Sequence, residues 1–159
     1  MTSEYIDEVN RDINRIQTKF NSNYIWDARP VQSKHLNIDK QGNRLNKEKV
    51  LKEEANHVIW LLGGIYSWGN YLSDEHTISS ILQDKLNNNS QNKLFLVENR
   101  SGFSFQANQT LQKFKIDLLT EKPDTIIVMN GFDDYKNLWK FNSINSLDLN
   151  AHTKFTKYW

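Results

Sequence analysis

The chain has 159 residues, 38% hydrophobic and 25% charged, with a formal net charge of +1. That size and composition describe one globular domain with a modest core and exclude global disorder. Interspersed acids and bases give no electrostatic case for nucleic acid or an anionic membrane, the lack of cysteine excludes disulfides and thiolate chemistry, and no apolar run approaches the ~20 residues of a membrane span.

The acidic start (Glu4, Asp7, Glu8) is unlike a signal peptide, so the expected location is cytoplasmic. Residues 4–20 read as an amphipathic helix within a 1–22 segment. Ile6, Val9, Ile13, Ile16 and Phe20 recur at 3–4 spacing, and Thr2 or Ser3 can cap the start. The plain reading is a stripe packed on the parent domain; a docking or coiled-coil helix is the alternative, for which two heptads are too few. Residues 23–55 carry turn signals (Arg29-Pro30, Gln41-Gly42-Asn43) and scattered apolar groups (Tyr24, Ile25, Trp26, Leu36, Ile38). They read as an ordered arm with one short strand at His35–Asp39.

The 56–135 core is clearer. His57–Leu62, Lys93–Asn99 and Asp124–Asn130 are near-continuous apolar runs, which suit strands of a parallel sheet buried on both faces. Between them lie two helical patterns. Ile78, Ile81, Leu82 and Leu86 follow a cap at Ser73 or Asp74; Leu111, Phe114 and Leu118 follow one near Ser104. Strand, helix, strand, helix, strand is a right-handed βαβαβ unit. The tail, 136–159, is rich in Asn and aromatics and shows no clean period.

Ligands of a parallel sheet bind beyond the carboxyl ends of its strands. That edge should hold Gly63-Gly64-Ile65-Tyr66-Ser67-Trp68-Gly69, Asn99-Arg100-Ser101-Gly102-Phe103 and Asn130-Gly131-Phe132-Asp133-Asp134. Add Asp74-Glu75-His76-Thr77, Lys122-Pro123-Asp124, Trp26 and the stretch Asn37–Arg44. In order and spacing these segments, over about residues 24–135, resemble the first three conserved blocks of SGNH (GDSL-type) hydrolases. The resemblance implies an α/β, flavodoxin-like sheet, here of three core strands with an N-terminal helix and arm. It also implies acyl-ester chemistry: a Ser after the first strand as nucleophile, its own N–H with a later Gly and Asn as oxyanion donors, and a late Asp-x-x-His as base.

Carried over residue by residue, that machinery is degenerate. Ile65 stands where the nucleophile should, and a branched alkyl group cannot attack a carbonyl. Ser67, two residues on, is a weak substitute. Gly102 can stand for the oxyanion Gly, whereas Asp133 replaces the Asn, and an ionised carboxylate would repel a developing oxyanion. Asp148 and His152 are four apart and arrive a βα unit too early. His35 and His57 read as structural or solvated. At His76, near a helix N-terminus, the dipole disfavours the charged form. Asp133-Asp134 reads as a solvated turn, with a divalent-cation site as the alternative. Trp60 and Trp68 read as packing.

The expectation is therefore a non-catalytic SGNH-like module with a binding or assembly role, with no confident catalytic residue, no cofactor and no metal. The alternative is an ester hydrolase or acyltransferase with an altered or partner-completed site. A chain that continues past Trp159 is a third reading. The apolar strand at 124–130 has an outer edge without neighbours, so the arm, the aromatic tail (Phe141, Phe155, Tyr158, Trp159) or a second chain should cover it. A homo-oligomer or protein partner is favoured.

Overall fold

A computed structural model describes residues 2–141 of the chain. Helix α1, Ser3–Ile13, opens with the Thr2 hydroxyl accepting from the Tyr5 N–H at 3.4 Å. It buries Val9, Asp12 and Ile13, and it is shorter than the 3–4 spacing predicts. Thr18–Asn21 (β1) leaves the helix to pair antiparallel with Ile25–Ala28 (β2). The turn between them competes successfully because the Asn21 side chain accepts from the Asn23 N–H at 3.0 Å, an Asx turn. Phe20 accordingly lies opposite Trp26 in the hairpin and is 81% exposed, not part of a helical stripe.

The arm continues through Val31–Gln32 (β3) and Asn37–Ile38 (β4), an antiparallel pair. The strand expected at His35–Asp39 thus shrinks to two residues, because the Ser33 hydroxyl and the Asn37 amide bond the local backbone around His35. Ala28, Leu36 and Ile38 form a core with Trp68, against which Ile16, Val31 and Phe103 pack.

The parallel sheet comprises His57–Gly63 (β5), Phe95–Asn99 (β6) and Thr125–Met129 (β7), in the order β6-β5-β7 with both pairings parallel. This is the α/β core that the apolar runs predict. On β5, Val58, Trp60 and Leu62 form a second core with Leu96, Phe114 and Leu118. Arg44 bridges Ile38 to Asn99, so the arm extends the sheet at the β6 side and leaves the β7 edge alone. That removes one of the three expected covers for β7, on which Ile126, Val128 and Met129 are 42%, 59% and 41% exposed. The aromatic tail beyond residue 141 lies outside the described residues.

Four helical segments complete the core: Ile65–Trp68 (α2), Ile78–Asn89 (α3), Ala107–Asp117 (α4) and Phe132–Phe141 (α5), with a 3₁₀ turn at Asp74–His76. The caps differ from expectation for stated reasons. Thr77 caps α3, accepting from the Ser80 N–H, because Asp74 is held by Arg44 and Asn37. Ser104 has φ +59°, incompatible with the extended backbone of an N-cap; Gln106 takes that place. Helix α5 crosses the boundary drawn at residue 135, since Tyr135 N–H already bonds the Gly131 carbonyl at 2.9 Å. No helix among the described residues is long and apolar enough to cross a membrane.

Candidate functional site

The carboxyl ends of the three strands bring Ile65, Gly102 and Asp133 together. Strand β5 turns through Gly63-Gly64 into α2, and Ile65 is the first residue of that one-turn helix. No side chain of its own neighbours caps α2. Instead Asp133, from the first turn of α5, accepts from the Ile65 N–H through Oδ2 at 2.8 Å. The adjacent Asp134 turns to the start of α4 and accepts from the Ala107 N–H at 3.0 Å. Each acid therefore serves a helix N-terminus, where orphan donors and the dipole favour negative charge. The pair is neither a free solvated turn nor grouped for a cation. Among the described residues, no cluster of three or more His, Cys, Asp or Glu is placed to hold a metal.

Asp133 is 5% exposed. Burial pushes its carboxyl above the ordinary aspartate range, while the Ile65 N–H and the charge of Lys136 oppose that rise. A Cβ on Gly64 would lie 2.2 Å from Asp133 Oδ2 and 2.6 Å from the Phe105 carbonyl oxygen. Gly64 is therefore required by close approach, at ordinary φ; among the strand-end glycines, Gly63 and Gly131 are the ones with positive φ, +155° and +113°. Across the edge, the Gly102 N–H donates to the Gly63 carbonyl at 3.0 Å. The Phe105 ring lies over Gly102 so closely that a Cβ there would meet it at 2.1 Å.

The backbone N–H groups of Ile65 and Gly102, which the SGNH resemblance implies as oxyanion donors, are thus already donated internally. No family model and no curated protein matches the chain. The site must be judged on its geometry.

Ser67 lies behind this edge. It is fully buried, and its hydroxyl donates to the Gly64 carbonyl at 2.9 Å, closing the α2 turn. The three described histidines are each engaged elsewhere: His35 Nε2 lies 3.0 Å from Glu8, His57 Nε2 lies 2.9 Å from Thr125 Oγ1, and His76 Nδ1 lies 2.8 Å from Ser73 Oγ. Asp148 and His152 lie outside the described residues. Trp60 and Trp68 are both fully buried, with guanidinium groups stacked on them: Arg100 at 4.0 Å and Arg44 at 4.7 Å from the ring centroids.

Those two arginines are the residues sequence reasoning passed over. Arg44, 1% exposed, donates to Asp74 Oδ1 at 2.9 Å and to the Gly69 carbonyl at 2.8 Å. Burial pulls its pKa down, and Asp74 holds it charged. Arg100 gathers Glu98, Asp117 and Glu121. Burial disfavours its charge, but the three carboxylates together push its pKa up. The signal available was a lone Arg at the end of the Asn37–Arg44 stretch and another at the end of β6. Neither spacing names a partner 30 or 21 residues away.

Proposed function

We propose that the chain is a non-catalytic binding or assembly module on an SGNH-type, flavodoxin-like scaffold. The observation that carries this reading is the Asp133 carboxylate seated on the Ile65 N–H. An acyl-transfer site needs donors preorganised toward the developing oxyanion, and here a buried acid of the same chain consumes one donor while the Gly63 carbonyl consumes the other. Ile65 supplies no nucleophile, and Ser67 faces a carbonyl oxygen in place of a base. The binding role rests on the β7 edge, whose exposed Ile126, Val128 and Met129 suit addition of a second copy or a protein partner.

Purified protein should hydrolyse short-chain p-nitrophenyl esters no faster than a buffer control, and Ile65→Ser should gain nothing, because no described histidine reaches position 65. Hydrolysis by the wild-type chain that disappears in Ser67→Ala would overturn the reading. Sedimentation at micromolar concentration tests association, with a stable monomer counting against it.

A further inference from the structure

The residues that join β7 to α5 are Asn130 and Gly131, the one Asn-Gly step in the sequence. Both are exposed, and both lie outside helix and strand. The Gly131 backbone has φ +113°, and a Cβ placed there would meet nothing within 4 Å. Its carbonyl accepts from the Tyr135 N–H to open α5, whereas its own N–H has no hydrogen-bond acceptor among the described residues. The Asn130 side-chain oxygen accepts from the hydroxyl of Thr110, a buried residue of α4, at 3.2 Å.

These features are the parts of an intramolecular acyl transfer. A backbone nitrogen that follows Asn can close a succinimide ring on the side-chain amide carbon, and it is already tethered within reach of it. A side chain on the following residue crowds that approach, and a ladder hydrogen bond holds the nitrogen in place. Position 131 has neither, and glycine gives the junction a wide range of backbone conformations. The Thr110 hydroxyl adds polarisation: it donates to the oxygen on which negative charge develops when the amide carbon is attacked.

We propose that Asn130 is a self-modification site that deamidates and thereby loosens the contact between α5 and α2. The Gly131 nitrogen gives its proton to water or hydroxide and bonds to Asn130 Cγ. The Cγ–N bond of the amide breaks, and the leaving nitrogen takes a proton from water and departs as ammonia. Water then opens the succinimide at either carbonyl, which leaves aspartate or isoaspartate. The net change is the amide plus water giving the acid plus ammonia, with no oxidation or reduction. Isoaspartate inserts a methylene into the backbone just ahead of the turn that carries Asp133. The Asp133 carboxylate meets the Ile65 N–H at 2.8 Å across the sheet edge, and a lengthened junction shifts it off that N–H. The site stands whether or not the edge is catalytic.

The test is to age the full chain at neutral and at mildly alkaline pH and follow each Asn by peptide mass spectrometry, with an isoaspartyl methyltransferase to mark isoaspartate. Conversion at Asn130 should outpace that at every other Asn of the described residues, and should quicken with pH because the attacking nitrogen must lose its proton. Asn130→Gln should show no conversion at that position. Thr110→Val removes the hydroxyl at similar volume and should slow conversion about tenfold, the worth of one ordinary hydrogen bond. Hydrogen-exchange protection at the Ile65 amide should fall in the aged chain and persist in Asn130→Asp, which carries the charge on an ordinary backbone. The proposal is overturned if another Asn converts first, if folded Thr110→Val converts as fast as wild type, or if the isoaspartate chain keeps its Ile65 protection. Should Thr110→Val fail to fold, the wild-type conversion map and the Ile65 amide decide.

Discussion

Removing Asp133 tests directly whether a long-range carboxylate holds the strand-end turn together. In Asp133→Ala the Ile65 N–H loses an acceptor at 2.8 Å within a buried edge. A buried donor left unpaired costs about 1–3 kcal/mol, and loss of a distant cap to a short helix falls in the same range. Asp133→Asn keeps an oxygen for that N–H and removes the buried charge, so it should lie within about 1 kcal/mol of wild type at neutral pH. The pH dependence separates the two contributions. Burial raises the folded pKa of Asp133 above its ordinary value of 3.8. Below that value the acid is neutral in both states and its folded form is favoured. As pH rises through the raised folded pKa, the unfolded chain ionises more readily and that share of stability is lost. Wild-type stability minus that of Asp133→Asn, taken from urea unfolding at pH 3.5, 5 and 7, should therefore fall with rising pH. The reasoning is refuted if the Ala variant stays within about 0.5 kcal/mol of wild type, if Asn is as damaging as Ala, or if the difference grows with pH.

Two further outcomes follow from buried and surface pairs. Arg44→Met should destabilise by about 3–5 kcal/mol, because it leaves the buried Asp74 carboxylate without its cation and the Gly69 and Leu72 carbonyls without their donor; Arg44→Met with Asp74→Asn should recover part of that loss in the same urea assay. At α1, hydrogen bonds from Lys34 and His35 hold the Glu8 carboxyl down at about 2, a depressed acid whose contribution is present above its ordinary 4.5 and lost as pH falls toward 2. Amide protection factors in α1, with the intrinsic pH dependence of exchange divided out, should fall over that window, modestly since the site is exposed, and Glu8→Gln should remove that fall.

The sheet was legible because its signal is local. HVIWLL, KLFLVEN and DTIIVMN are each long enough and apolar enough to demand burial, and the helical patterns between them call for the parallel pairing that is found. The ends of α1 and α3 were less legible, since both depend on competition. Ile16 and Phe20 fit a helical period, yet the Asx turn at Asn21–Asn23 captures the chain for a hairpin. Ser73 and Asp74 look like caps, yet Tyr5 occupies one and Arg44 the other. A side chain turned toward a tertiary partner is not turned toward the helix N–H groups, and a sequence does not reveal a partner that arrives from 30 or 68 residues away.

The same point governs the candidate site. Position 133 carries an acid where the SGNH resemblance implies an amide, and from sequence alone that change reads as a defect: negative charge aimed at a place meant for an oxyanion. The geometry gives the change a positive role. The first N–H of α2 needs an acceptor, since no neighbouring side chain caps it, and an ionised carboxylate is the strongest acceptor a side chain offers. Gly64 leaves that carboxylate the room a Cβ would take, and Asp134, one residue on, does the same service for α4. An amide at 133 would leave its own N–H₂ to be satisfied in a space already bounded by Gly64 and the Phe105 carbonyl. The carboxylate at 133 therefore joins α5 to the first turn of α2. Burial opposes the charge on Asp133, while the Ile65 N–H and the charge of Lys136 support it, and Gly64 leaves the room for it.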